Sequence, residues 1–439
     1  MIGWVRQMVD VARQSPSRAL YREWSRLQWQ SPEELERGQL ELVRDLCRHA
    51  WATTPYYREV FDDLRITPED IRSFADFGRL PMLTKAIIRS RLPDLLSSAT
   101  PAAGRLENHS GGSTGSPLRF FQDGHVFQAM TATMRLSLSF AGWKPSDMMV
   151  CIWGNPRDTG ASPARVSLRN YLAGSVTLNA YRYGAAELDN WLRIIRKFGS
   201  VFVYGYVSAL ADVAAHVRDT GTRITNVRAV MTSAEKLHAE QREALERAFG
   251  CRVFDQYGSR EVPGIASECA HGGMHLLTHS AYTEFVPDPE SGLNRLVVTC
   301  LTNKTMPFLR YDIGDHGAPL AGTCPCGRGF PLMRMDIGRM VDCLVAPGGQ
   351  RMYGTFFVRQ MYGLRGVEGF QFRQREAGRI ELFVVRGSGF DAAEAARLEE
   401  VAGKLERELP GVAVALQYVA DIPRTQGGKH RQVVCEVAS

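Results

Sequence analysis

No apolar run in this 439-residue sequence approaches the ~20 positions needed to cross a bilayer, so no membrane partner is expected. The stretch Met1–Val11 carries Arg6 and Asp10 and has neither a long apolar core nor a small-residue cleavage site, which speaks against a secretory leader and for the cytoplasm. There is no long basic run of the kind a nucleic-acid groove needs, and no internal repeat or low-complexity tract. The nine cysteines, an odd number scattered over a large chain, exclude a disulfide scaffold and imply reduced thiols. Cys47, Cys151, Cys251, Cys300, Cys343 and Cys435 sit mostly among apolar neighbours, as packing residues do.

What is present is the composition of a folded protein, 44% hydrophobic and 23% charged. The net charge of +6 is spread along the chain, ordinary for a solvated surface and compatible with an anionic small-molecule substrate. The length predicts two domains. Apolar residues at helical spacing through Leu40–Trp51, with breakers at Thr54-Pro55 and Leu80-Pro81, mark the first hundred residues as helical. From about Asn108, β-like runs alternate with amphipathic helices. Strands are expected at Met148–Trp153, Val201–Tyr204, Val227–Thr232, Arg252–Gln256 and Arg295–Cys300, and helices at Leu188–Phe198 and His238–Phe249. That alternation predicts a large α/β domain on a parallel or mixed sheet. Beyond Gly338 the pattern becomes a small α+β unit: strands at Cys343–Ala346, Gly369–Arg373, Ile380–Val385 and Val412–Tyr418, and a helix at Ala392–Leu409. The expected division is 1–335 and 336–439, with the boundary within Asp336–Arg339.

The segment Ser110-Gly111-Gly112-Ser113-Thr114-Gly115-Ser116-Pro117 stands out most. Glycines let successive N–H groups converge on one anion, and hydroxyls add donors, which suits a triphosphate. No Gly-Lys-Ser/Thr follows, so it is not a Walker loop. By itself it is equally compatible with a flexible surface turn.

The order of further motifs decides the matter. Thr232-Ser233-Ala234-Glu235, Tyr257-Gly258-Ser259-Arg260-Glu261, Arg310-Tyr311-Asp312-Ile313-Gly314-Asp315, Gly338-Arg339-Met340-Val341-Asp342 and Ile422-Pro423-Arg424-Thr425-Gln426-Gly427-Gly428-Lys429 follow the Ser/Gly-rich segment in that order. Together they resemble the AMP-forming adenylate enzymes, in particular the branch containing phenylacetate–CoA ligase and the capsular-polysaccharide-biosynthesis proteins. Met352–Phe357 resembles the polysaccharide-associated members.

The resemblance implies a fold of the acyl-CoA synthetase type with a small mobile C-terminal domain, and an ATP-dependent ligase. It implies that Ser110, Gly111, Gly112, Ser113, Thr114 and Gly115 hold the pyrophosphate end of ATP. By the same resemblance Ser233, Ala234 and Glu235 form a turn against adenine, Tyr257 stacks on it beside Gly258 and Ser259, and Glu261 helps hold Mg2+. Asp315 would bind the ribose and Arg339 would contact ATP. Asp342 would lie near the pivot, and Lys429 would bridge carboxylate and phosphate in the transition state. The sequence departs from the broader pattern at Ser116 and Leu118, where many relatives place a lysine (Arg119 is close by), at Val341, and at Asp312.

Cys269 and His275, with Cys324-Pro325-Cys326-Gly327 about fifty residues on, match a tetrahedral Cys3His zinc site, with Gly272, Gly273 and Gly327 allowing tight knuckles. His271 is the rival nitrogen ligand, and the family's manner favours His275. A closed four-ligand site is structural. Tyr204, Gly205 and the strip from Trp153 to Thr159 lie where relatives shape the acyl pocket, or are core aromatics. His109 and Arg260 are polar candidates beside the activation site. The expected substrates are ATP and a carboxylic acid, with coenzyme A as acceptor; the alternatives are acyl or adenylyl transfer to an amine, hydroxyl or sugar acceptor in polysaccharide or secondary-metabolite biosynthesis, or a non-catalytic scaffold. A monomer or homodimer is expected.

Overall fold

The computed structural model describes residues 16–110, 118–154, 166–180, 182–289, 293–337, 343–347, 351–361, 364, 366–387, 389–422 and 432–437. The expected helical lead-in is present. In the helix Pro32–Thr53, Ser31 accepts from Glu34 N while the Glu34 side chain accepts from Ser31 N, satisfying two end donors reciprocally. Its apolar side buries Leu35, Val43, Leu46, Cys47 and Ala50. Thr54 leaves the helical conformation, and Pro55 starts the next helix, Pro55–Leu64.

A short hairpin follows, β1 (Leu106–His109) with β2 (Arg119–Gln122), and then a mixed sheet. Its parallel half comprises β3 (Met148–Trp153), β4 (Ser175–Asn179), β6 (Val201–Tyr206), β7 (Val227–Ser233) and β8 (Arg252–Tyr257), ordered 4-3-6-7-8. A two-residue strand, β5 (Arg182–Tyr183), lies outside it. Helices Ala185–Arg196, Val207–Thr220 and Ala239–Phe249 cover one face, where Ile152, Trp191, Val203, Leu210, Val230 and Val253 are buried. The helix Gly124–Phe140 covers the other, over Met149, Phe202, Met231 and Phe254. Burial on both faces explains why these strands are continuous apolar runs.

The sheet continues antiparallel through β9 (Ala266–Glu268), β10 (Met274–Leu276), β14 (Leu332–Ile337), β13 (Tyr311–Leu320), β12 (Asn294–Cys300) and β11 (Ala281–Pro287). The sheet is therefore mixed. Strands 9, 10, 11, 13 and 14 had no counterpart in the sequence reading.

The lead-in is tied to this half by Arg310. Its guanidinium pairs with Glu284 at 3.0 Å and donates to the carbonyls of Gly78 and Leu80. Leu83 N donates to Arg310 O, and Asp312 N donates to Leu83 O.

The smaller C-terminal domain has its own core of Leu344, Met352, Phe356, Phe370, Phe372, Leu398 and Leu405. Its strands are β15 (Cys343–Val345), β16 (Arg351–Tyr353), β17 (Val367–Glu376), β18 (Arg379–Arg386), β19 (Ala413–Val419) and β20 (Val433–Cys435). Four of them form a sheet in the order 19-18-17-20, packed with the helix Ala392–Glu408. The buried Gln374 amide clamps Val345, accepting from its N–H and donating to its carbonyl. β16 also pairs with β5 of the larger domain.

Arg310 and Glu284 are a buried pair, so removing one partner strands the other charge. Arg310→Met is expected to destabilise the fold by about 3 kcal/mol, measured by urea denaturation near pH 8. Burial already holds the Glu284 carboxyl above its ordinary value, against the Arg310 guanidinium, which lowers it. Without that cation the folded-state value rises further, so the folded state binds a proton that the unfolded state releases. The deficit should therefore shrink as pH falls toward about 5. A deficit unchanged with pH would contradict this assignment.

Candidate active site

The segment expected to bind phosphate is closed at its neck. Ser110 N donates to Leu118 O and Leu118 N donates to Ser110 Oγ, both at 2.8 Å, on top of the β1–β2 hairpin. Gly111, Gly112, Ser113, Thr114 and Gly115 lie outside the described residues, as do Arg339, Asp342 and Lys429. Arg119, which stands near the missing loop lysine, is exposed and pairs with Glu107 across the hairpin at 2.7 Å.

The parallel strands β7 and β8 end side by side. At the end of β7, Ser233 is buried and Ala234 holds φ = 71°, the left-handed region that a residue with a Cβ rarely occupies. Glu235 then turns back and accepts from Ser208 N at 2.6 Å, at the start of the helix Val207–Thr220. A carboxylate there is favoured by the helix dipole.

At the end of β8, the Tyr257 hydroxyl donates to Asp315 Oδ2 at 2.8 Å. Asp315 is buried on β13, on the same side of that strand as Tyr311 and Ile313. Asp312 faces the other way, accepting from Gly314 N and pairing with Arg295.

The turn after Tyr257 is pinned at several points. Ser259 N donates to Val262 O, Val262 N donates to Ser259 Oγ, and Ile265 N donates to Tyr257 O. A Cβ on Gly258 would lie 2.7 Å from Gly264 N, and one on Gly264, at φ = 69°, would lie 2.1 Å from Thr133 Cγ2. Glu261 sits in this turn with no exposed surface. Its Oε1 accepts from the Tyr311 hydroxyl at 3.4 Å, and its Oε2 is buried without a hydrogen-bond partner. A buried carboxylate oxygen without a donor fits a bound cation, so these residues suit Mg2+. The same turn is fixed to the hairpin, because Arg260 O accepts from Gln122 Nε2 at 2.9 Å.

The acyl-pocket candidates lie at the ends of β3 and β6. Trp153 stacks on Tyr204 at 5.3 Å between ring centroids and packs on Tyr206 at 4.2 Å. Burial pushes the Tyr204 phenol up to about 12, against a hydrogen bond with Ser233. Gly205, between the two tyrosines, faces the opposite side of the sheet, where a Cβ would lie 2.8 Å from Ile152 O. His109 offers its carbonyl to Arg260 Nη1 at 3.4 Å.

A second cluster lies beyond β9. The ligand atoms of Cys269, His275, Cys324 and Cys326 all lie within 4.8 Å of one another. Cys269 Sγ is 3.5 Å from Cys324 Sγ, and Cys326 Sγ is 3.3 Å from His275 Nε2. Thiolates on a zinc tetrahedron with bonds of ~2.3 Å would stand about 3.8 Å apart. The His275 Nδ1–H donates to Phe330 O, which leaves Nε2 to the cluster. His271 contributes its backbone N–H to Cys269 Sγ, and its ring is not in the group. A Cβ on Gly273 would come within 3.1 Å of Cys324 Sγ.

Tyr311 and Gln122 are the contacts that sequence reasoning missed. Tyr311 stood inside a quoted motif and would have emerged from strand alternation with Asp315. Nothing in the sequence marks Gln122.

No family model matches the chain. It is 26% identical over 331 residues to phenylacetate-coenzyme A ligase of Aromatoleum evansii, covering 72% of this chain and 73% of that protein. The corresponding ligase of Escherichia coli K12 is 27% identical over 335 residues, covering 72% and 74%. Protein CapK of Staphylococcus aureus is 24% identical over 391 residues, covering 86% and 84%. Among solved structures, 2-hydroxyisobutyryl-CoA ligase with 2-HIB-AMP and CoA aligns with a TM-score of 0.61 at 19% identity, covering 94% of this chain and 92% of that one. The chain is a homologue of the phenylacetate–coenzyme A ligases and of CapK, with the fold of the adenylate-forming ligases, and its class is that of an AMP-forming ligase.

Gly264→Ala should destabilise by about 2–4 kcal/mol, through the left-handed backbone and the clash with Thr133. Thr133→Ser deletes the clashing methyl. The double variant should therefore recover part of the loss in thermal denaturation, and strictly additive losses would count against this packing.

Proposed function

We propose that this protein activates a carboxylic acid with ATP, releasing pyrophosphate and forming an acyl-adenylate, and then transfers the acyl group to coenzyme A. The observation that carries the reading is a convergence at one end of one sheet. The Ala234 turn, the Tyr257–Asp315 pair, the buried Glu261 and the neck of the Ser110–Leu118 segment all meet there. In α/β sheets ligands bind beyond the carboxyl ends of the parallel strands.

On this reading the Ser233–Ala234–Glu235 turn and Tyr257 flank adenine, with Gly258 and Ser259 forming the adjoining backbone. Asp315 accepts from the ribose hydroxyls, and Ser110 with Gly111–Gly115 donates to the β- and γ-phosphates. Glu261 is the ligand for Mg2+, which when bound neutralises phosphate charge. A carboxylate oxygen of the acid attacks the α-phosphorus. The new P–O bond forms as the bond to pyrophosphate breaks. Arg339 and Lys429 supply cations to the oxygens on which charge develops. The thiol of coenzyme A then attacks the acyl carbon, AMP leaves, and the thiol proton passes to solvent.

The division between domains falls within Asp336–Arg339, with Asp342 at the pivot. The Cys3His cluster takes a structural zinc ion. Reduced thiols at Cys47, Cys151, Cys251 and Cys300, beside the three cysteines of the cluster, support the cytoplasm as the compartment. An amine, hydroxyl or sugar acceptor is the second reading, favoured by the match with CapK, which runs over more of the chain than those with the coenzyme A ligases.

The full chain with Mg-ATP should release pyrophosphate only when a suitable acid is added from a panel of aryl, short aliphatic and hydroxy acids. Supplying coenzyme A should then yield a thioester by mass. Pyrophosphate release indifferent to every acid would overturn the reading, and an acid-dependent enzyme that makes no thioester would select the second acceptor class. Lys429→Ala should lower the adenylation rate by about 100-fold or more while ATP affinity changes little, since the lysine acts mainly in the transition state. Equal losses in affinity and rate would contradict that role. Purified protein should carry about one zinc per chain. Cys324→Ser should lose the metal and melt earlier, and a variant with unchanged metal content would remove the zinc assignment.

A further inference from the structure

Arg260 and Glu261 are neighbours of opposite charge that do not pair with each other. Glu261 turns inward toward Tyr311 and keeps one carboxylate oxygen without a partner. Arg260 turns toward the hairpin, where its guanidinium makes a single long hydrogen bond to the His109 carbonyl. It is half-buried, and among the described residues no carboxylate pairs with it. A guanidinium has five donors in a fixed fork, and a half-buried one left with a 3.4 Å carbonyl contact is poised for an anion.

Its position defines which anion. The backbone of Arg260 is fixed to Gln122, at the end of β2 away from the Ser110–Leu118 neck, while its guanidinium reaches the carbonyl of His109, the residue before Ser110. Tyr206, packed on Trp153, is within electrostatic reach of Arg260: burial pushes that phenol up, and the Arg260 guanidinium is the first opposing influence. Arg260 therefore lies within reach of both the His109–Ser110 end of β1 and the Trp153–Tyr206 aromatic pair. Arg119, opposite His109 in the hairpin, is already engaged with Glu107.

We infer that Arg260 is the residue that binds the carboxylate of the acyl substrate and holds it against the α-phosphate. This rests on the acid-activating reading above. Bringing a carboxylate to a phosphate costs electrostatic repulsion, and a permanent cation in a half-buried setting offsets it while orienting the attacking oxygen through a two-pronged contact. Glu261 and Arg260 then receive the two opposite charges of one reacting complex, a metal cation and a carboxylate.

The test compares wild type, Arg260→Gln and Arg260→Lys in acid-dependent ATP–pyrophosphate exchange, using the panel acid that the wild type accepts best. Binding of Mg-ATP without acid is measured by calorimetry. Arg260→Gln should raise KM for the acid about 10- to 100-fold and leave the ATP dissociation constant within about twofold. Arg260→Lys should recover part of the loss, because it keeps the charge but not the fork. The melting temperature of Arg260→Gln should stay at or above that of wild type, since no carboxylate loses its partner. A parallel loss of ATP binding would assign Arg260 to the nucleotide instead. An unchanged KM, or a lowered melting temperature without a KM effect, would also overturn the inference while leaving the activity standing. A wild type inactive with every acid would remove the activity itself.

Discussion

The site depends on a turn with no spare room. Between Tyr257 and Ile265 the chain reverses so tightly that neither Gly258 nor Gly264 can carry a side chain without meeting backbone or Thr133. That closure holds Glu261 inside and Arg260 outside a turn short enough to prevent them from neutralising each other. An unpaired buried carboxylate costs several kcal/mol. Such a cost is sustained only where the surroundings over-determine the conformation, and here Gln122, Val262 and the Tyr257 carbonyl each fix a different point of the turn.

The turn also marks the place where the sheet changes character. β8 runs parallel to β7, and β9 returns antiparallel to β8, with Tyr257 opposite Ala266. The parallel half brings its carboxyl ends together, with Trp153, Tyr206, Ser233 and Tyr257 as terminal residues of their strands. The antiparallel half supplies a rigid wall, from which Tyr311 and Asp315 reach the turn and the end of β8. Neither half alone brings a tyrosine hydroxyl to both carboxylates.

The parallel half was legible in the sequence because burial on both faces forces unbroken apolar runs, as in Met148–Trp153, where the expected and observed ends coincide. The strand Tyr311–Leu320 was not legible. It carries two glycines, a proline and the buried or half-buried Asp312, Asp315 and His316, because it serves the candidate site and an ion-pair cluster rather than a uniform core. The motifs named the candidate residues by their order along the chain. The contacts that shape it were hidden, because Tyr311 lies 50 residues from Glu261 and Gln122 lies 138 from Arg260, and no local pattern reports such pairs.

The thiol–imidazole cluster belongs to the same argument. β9 is only three residues long, too short to hold its register by hydrogen bonds alone against the tight turn at its start. Cys269 follows directly at its other end, where Gly272 N donates to Cys269 O and Cys269 N to Gly273 O, while the turn Cys324–Gly327 closes over it. The strand whose first residue pairs with Tyr257 is thus tied down one residue past its last. A metal held by the four ligands would cross-link that point and resist sliding of β9 and, through it, any relaxation of the turn that would let Arg260 and Glu261 find each other. The cluster lies apart from Arg260 and Glu261, and the mechanical consequence of a metal bound there would fall on those two charges.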